Sequence, residues 1–156
     1  MRMSGNVTVE LSTILDLVRY AATRFNEADL IFGHGTEDAV DDACLLICET
    51  LRLPPDRFEG LLSARVTTTE RQKIQELVDA RVRTRLPAAY LVKRVYMRGL
   101  PFYVDQRVIV PRSHIGGILE SELFGGGETS LIHDCGSVGR VLDLCTGSGV
   151  WPFSPA

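Results

Sequence analysis

The spacing of apolar residues changes period near Lys93, and no other feature constrains the fold as strongly. Before that point, apolar residues recur every three or four positions, as on one face of a helix. After it they alternate, as in a strand with one buried face. A chain patterned in this way is expected to be α+β, with a helical bundle first and a strand-based part after it.

Four helices are expected in about 86 residues, enough for a small bundle. Leu11, Ile14, Leu15, Val18, Ala22 and Phe25 line one face of the first. Gly33-His34-Gly35 breaks the chain. Thr36 is placed to cap a second helix, with Glu37, Asp38, Asp41 and Asp42 at its electropositive end. Its inward stripe is Ala39, Ala43, Leu46, Ile47 and Thr50. Pro54-Pro55 stops that helix and suits the first turn of a short third one, with Phe58, Leu61 and Leu62 as its apolar side. Thr67-Thr68-Thr69-Glu70 fits a capping box. The long helix it opens points Ile74, Leu77, Val78 and Val82 inward, and Pro87 interrupts it.

Beyond Lys93, Val95 and Met97 form one alternating run, and Phe102, Val104, Val108 and Val110 another. Gly99-Leu100-Pro101 lies between them, so a β-hairpin is expected. A helix is expected from about Ser113 to Phe124, ended by Gly125-Gly126-Gly127. The apolar run Arg140-Val141-Leu142-Asp143-Leu144-Cys145 reads as a strand feeding Thr146-Gly147-Ser148-Gly149.

Charge is distributed unevenly. Residues 1–80 hold 8 Lys/Arg against 14 Asp/Glu, residues 81–112 hold 8 against 1, and residues 113–156 hold 1 against 5. The basic middle implies an anionic partner or a solvated face, and the sequence leaves both open. Its cations are Arg81, Arg83, Arg85, Lys93, Arg94, Arg98, Arg107 and Arg112. Tyr90, Tyr96 and Tyr103 lie among them, placed to stack on bases or to pack the hairpin. No apolar run approaches the ~20 residues of a membrane helix. The opening Met1-Arg2-Met3-Ser4-Gly5 lacks the apolar core of a signal peptide, so a cytoplasmic location is expected.

The stretch from Val141 to Gly149 carries the clearest chemistry. An apolar strand ending in a G-x-G turn is how doubly wound folds hold nucleotide-like ligands. Glycine lets the backbone approach the ligand, and the turn can point N–H groups at it. The pattern here is D-x-x-T-G-S-G, with Asp143 four residues before Gly147. An acid so placed suits a ligand bearing an ammonium group better than a pyrophosphate. A plain strand-to-loop turn, with Asp143 at the strand end, is the competing reading. Cys44 and Cys48 share a helical face and read as core thiols. His34, His114 and His133 are scattered, so no metal set is expected.

Four separated blocks, read together, resemble a known family. They are Arg85-Leu86-Pro87-Ala88-Ala89-Tyr90-Leu91, Gly99 to Asp105, Val108-Ile109-Val110-Pro111-Arg112-Ser113, and Val141 to Gly149. These blocks are similar to S-adenosylmethionine-dependent protein-glutamine methyltransferases, which modify a glutamine side-chain amide. Phe102-Tyr103-Val104-Asp105 and Pro111-Arg112-Ser113 look closest to the branch acting on the third protein of the large ribosomal subunit. The resemblance implies a helical substrate-recognition domain over 1–86 and a β-hairpin linker over 87–112. It implies the start of a Rossmann-like methyltransferase domain over 113–156, here one helix and one strand. It puts Asp143, Thr146, Gly147 and Gly149 on the loop that binds S-adenosylmethionine, and Pro111 and Arg112 on a segment bordering the substrate. Arg112 could face a carboxylate there, or form a surface salt bridge. The implied partners are a large-subunit ribosomal protein and, through the 81–112 segment, ribosomal RNA.

The family pattern continues with a helix after the glycine turn, an acidic residue for the ribose hydroxyls and an Asn-Pro-Pro-Tyr loop. Here Gly149 is followed by Val150-Trp151-Pro152-Phe153-Ser154-Pro155-Ala156, and no Asn-Pro-Pro-Tyr occurs. Proline in a helix interior costs ~3 kcal/mol. The expectation is therefore a truncated family member without turnover, with no catalytic residue assigned. The alternative function is a non-catalytic module that binds a ribosomal protein or RNA.

Overall fold

The computed structural model describes residues 11–97, 99–111, 138–140, 142, 144, 146, 147 and 149. Tertiary contacts divide the chain into a unit of residues 1–93 and a unit of residues 94–156.

The first unit is a helical bundle. Helix α1 spans Ile14–Glu27, α2 Ala39–Leu51, α3 Thr68–Thr84 and α4 Ala88–Val92. Where the short third helix was expected, the chain makes two 3₁₀ turns, Pro55–Arg57 and Glu59–Leu61, with Phe58 buried between them. Helices α1, α2 and α3 pack on one another, and α4 packs chiefly on α2. The core holds Leu17, Ala21 and Phe25 of α1, Ala43, Leu46 and Ile47 of α2, and Ile74 and Val78 of α3. Fully burying one such aliphatic or aromatic side chain stabilises by ~1.5–3 kcal/mol.

The helix starts are set by side chains that satisfy orphan backbone donors. Thr67 and Glu70 form the expected capping box on α3, the Thr67 N–H donating to Glu70 Oε2 at 2.7 Å. A second box, Thr13 with Asp16, opens α1. The α1 start is also strapped by the segment before α3. The Ile14 N–H donates to the Ala64 carbonyl at 3.1 Å and the Leu15 N–H to the Leu62 carbonyl at 2.9 Å.

Several expectations for this unit are corrected. Leu15 is 54% exposed and Leu17 takes the inward position, because the α1 stripe runs 14-17-18-21-22-25. The α2 cap is Asp38, whose carboxylate accepts from the Val40 and Asp41 N–H groups. The Thr36 hydroxyl instead donates to Asp42 Oδ1 at 2.6 Å. Thr50 is half-buried and its hydroxyl donates to the Leu46 carbonyl. Helices α2, α3 and α4 end at Arg52, Arg85 and Lys93, all in the left-handed region without glycine.

In the second unit, β1 (Arg94–Met97) pairs antiparallel with β2 (Leu100–Tyr103). Val95 faces Phe102 and Met97 faces Leu100, so the connection is two residues long. Gly99 takes φ +77 in that connection, as tight hairpin loops require. Leu100 and Pro101 therefore belong to the second strand, not to the turn. Proline is tolerated there because both strands of a two-stranded sheet are edges. The expected helix 113–124 and the glycines 125–127 lie outside the described residues.

The strand expected over 140–145 is also corrected where it is described. Arg140 and Leu142 are in no regular element and Leu144 is in a turn. Leu142 is 79% and Leu144 75% exposed. A strand holds its shape only against neighbouring strands or a covering layer.

Candidate functional site

The described part of the expected ligand loop forms one turn. The Gly149 N–H donates to the Thr146 carbonyl at 2.9 Å. Gly147 takes φ +58 and Gly149 φ +74, a region that disfavours residues with a Cβ. Thr146 and Gly147 are exposed and Gly149 is half-buried. The structure thus brings Thr146, Gly147 and Gly149 together. Asp143 and Arg112 lie outside the described residues. At Gly147 and Gly149 the turn presents backbone without a Cβ, which a ligand can approach closely. The Gly149 N–H is already committed within the turn.

Pro111 is half-buried and directly follows Val110, which is 1% exposed. The segment leading to it is held by a group that the pattern did not reveal. Asp105 accepts the Tyr103 hydroxyl at 3.0 Å and the Arg107 backbone N–H at 3.0 Å. It also accepts Arg107 Nε at 2.9 Å and Nη2 at 2.6 Å. These donors stabilise the ionised form. The Arg107 guanidinium, its backbone N–H and the Tyr103 hydroxyl hold the Asp105 carboxyl well below the usual range. The Asp105 pair raises Arg107 in turn. Tyr103, Asp105, Arg107 and Val108 line an open hollow of about 400 Å³. The signal was present in the sequence as an acid two residues from both a tyrosine and an arginine. Spacing of two is ambiguous between strand and turn, so it did not show that the three meet.

The basic strip is reduced by the bundle itself. Arg81 is 1% exposed and bonds Asp42 Oδ2 through Nε at 2.6 Å. Its Nη2 donates to the Ile31 carbonyl at 3.2 Å, and its guanidinium lies 5.9 Å from the Phe25 and Phe32 ring centroids. Arg81 therefore cannot reach a phosphate, and Asp42 is a core residue as well as an α2 first-turn acid. A carboxylate, a carbonyl and two rings offset part of the desolvation of this arginine, while its Nη1 is buried without a hydrogen-bond partner among the described residues. The Arg85 guanidinium is also engaged, donating to the Ala28 and Asp29 carbonyls. With Arg107 paired to Asp105, the guanidinium groups of Arg81, Arg85 and Arg107 are all engaged within the chain.

The thiols fit the core reading. Cys48 is buried and donates to the Leu53 carbonyl, and burial pushes its pKa up to about 11. Cys44 is half-buried, and burial followed by nearby Asp41 and Asp38 raises it too. Neither is a ready nucleophile at neutral pH. Among the described residues no group of three or more His, Cys, Asp or Glu side chains could hold a metal ion. Among them, too, no helix is long and apolar enough to cross a membrane.

Comparison with known proteins agrees with the resemblance read from the sequence. The chain is 59% identical over 141 residues to a ribosomal protein uL3 glutamine methyltransferase of Bradyrhizobium diazoefficiens, covering 90% of this chain and 44% of that protein. It is 46% identical over 147 residues to the enzyme of the same name from Bordetella pertussis, covering 94% of this chain and 48% of that protein. It is 47% identical over 137 residues to that of Burkholderia pseudomallei, covering 88% and 43%. No family model matches the chain. The chain spans under half the length of these curated relatives.

Proposed function

We propose that the chain acts in the methylation of a glutamine side-chain amide on ribosomal protein uL3, as its recognition part and without turnover by itself. The observation that carries this reading is 59% identity over 90% of the chain to a uL3 glutamine methyltransferase. In this reading residues 1–86 recognise the substrate protein, 87–112 form the hairpin linker and 113–156 begin a Rossmann-like methyltransferase domain. The setting is the cytoplasm, where ribosomes are modified.

The donor in this reading is S-adenosylmethionine, which supplies a methyl group activated by its sulfonium. Thr146, Gly147 and Gly149 would hold it through the backbone of their turn, and Asp143 would face its ammonium. Pro111 and Arg112 would border the glutamine to be modified. Positioning is the main service such a site gives, because two bound reactants need only be aligned. The 75–79% exposure of Leu142 and Leu144 favours recognition over catalysis, since a precise site is built on packed neighbours.

The test is to incubate the purified chain with uL3 and S-adenosylmethionine, measuring association by calorimetry and methylation by mass spectrometry. Saturable association with uL3 and no methylated glutamine is the expected outcome. Methylation would overturn the non-catalytic part of the reading. Absence of association would overturn the recognition part.

A further inference from the structure

The acid at position 105 is committed to an unusual degree for a residue at the surface. Its carboxylate collects the Tyr103 hydroxyl, the Arg107 backbone N–H and two guanidinium nitrogens of Arg107, all within 3.0 Å. The side chain is only 23% exposed, whereas that of Arg107 is 82% exposed. The Asp105 carbonyl accepts the Val108 N–H at 3.1 Å, closing a turn over 105–108. Fully buried valines flank that turn, Val104 at 0% and Val110 at 1% exposure. The chain is thus anchored before the turn, latched within it and anchored again one residue before Pro111. An aspartate accepting from the backbone N–H two residues on is the usual way to fix such a turn. The bidentate guanidinium adds a geometry that a single bond lacks.

We propose that Asp105 is a positioning residue for substrate binding, and that its latch on Tyr103 and Arg107 sets the path of Val108 to Pro111. This rests on the reading above that Pro111 borders the substrate. The Asp105 carboxylate bonds Tyr103 and Arg107, and it acts through the segment that follows. The latch also fixes the Tyr103 ring, which is 58% exposed, as one wall of the hollow shared with Val108.

The experiment compares the full chain with Asp105→Asn, Pro111→Ala and the double variant. Amide hydrogen exchange reads the latch, and calorimetric affinity for uL3 reads its purpose. Asp105→Asn keeps the size but places an amide against Arg107. Exchange at Val108 to Val110 is expected to quicken by about tenfold, with the α1 and α3 amides unchanged. Affinity for uL3 is expected to fall by about tenfold, the scale of a small misplacement of a contact. In the Pro111→Ala background the same change should weaken binding little further, because both act on one segment. Quickened exchange with unchanged affinity, or additive losses, would leave a purely structural staple and overturn the proposal, as would unchanged exchange. Failure of the unmodified chain to bind uL3 would instead overturn the underlying reading, and the positioning role with it.

Discussion

Leu17 and Leu144 are the same side chain in opposite circumstances. Leu17 in α1 is 0% exposed in a core shared by three helices, and Leu144, two residues before the glycine turn, is 75% exposed. The contrast extends to polar groups. In the helical unit even a buried arginine has a carboxylate and a carbonyl. Around 142–149 the described backbone has one turn, closed by a hydrogen bond from Gly149 to Thr146. The difference teaches that a sequence can keep the local chemistry of a ligand loop while the packing that makes such a loop rigid is not evident around it. Local turn geometry needs only glycines, whereas rigidity needs neighbours.

The largest expected effect lies in the buried pair. Asp42→Ala strands the Arg81 guanidinium in the core and should cost about 3–5 kcal/mol in a urea melt followed by circular dichroism. Replacing both partners by apolar residues should cost much less, since no charge is left unpaired. Next comes Leu17→Ala, expected to lower stability by about 2–5 kcal/mol in the same melt. A loss under about 1 kcal/mol would mean that the bundle is looser than its burial indicates.

A smaller effect is expected at the helix caps. Thr67→Ala should cost about 1 kcal/mol by removing an acceptor for the α3 first turn. The carboxyls of both capping boxes are held below their ordinary values, Asp16 chiefly by the Thr13 hydroxyl and Glu70 chiefly by the Thr67 backbone N–H. A depressed folded value means that this stability is complete above the ordinary values of 3.8 and 4.5 and is lost as pH falls below them. Urea midpoints should therefore decline between about pH 5 and about pH 3, and Thr67→Ala should blunt the decline. The smallest effect marks the other side of the comparison. Leu144→Ser should change stability by no more than about 0.5 kcal/mol, the range of exposed substitutions. A loss of several times that would show that Leu144 is packed in solution.

Much of the helical unit was legible in the sequence, and its failures have physical reasons. The Thr67–Glu70 box was visible because its residues lie three apart and meet within one turn. The Asp42–Arg81 pair was not, because its partners are 39 residues apart and a charge in a sequence reads as solvent-facing. Leu15 reads as inward because it is apolar and near the stripe, yet a shift of one position turns a helical residue by about 100°. Helix ends were harder, since Arg52, Arg85 and Lys93 occupy the left-handed positions where glycine is usual. At the candidate site, the glycine turn was legible because its glycines dictate backbone angles. The Tyr103–Asp105–Arg107 latch was not, because whether residues two apart meet depends on a turn that the alternating pattern hides.

Calorimetric titration of the whole chain with S-adenosylmethionine tests the contrast between the two regions most directly. The helical unit should melt cooperatively while the donor gives no saturable heat, because the Thr146–Gly149 turn lies beside exposed rather than packed leucines. A saturable isotherm with micromolar affinity would contradict this, and would mean that the loop is organised in solution well beyond its single turn.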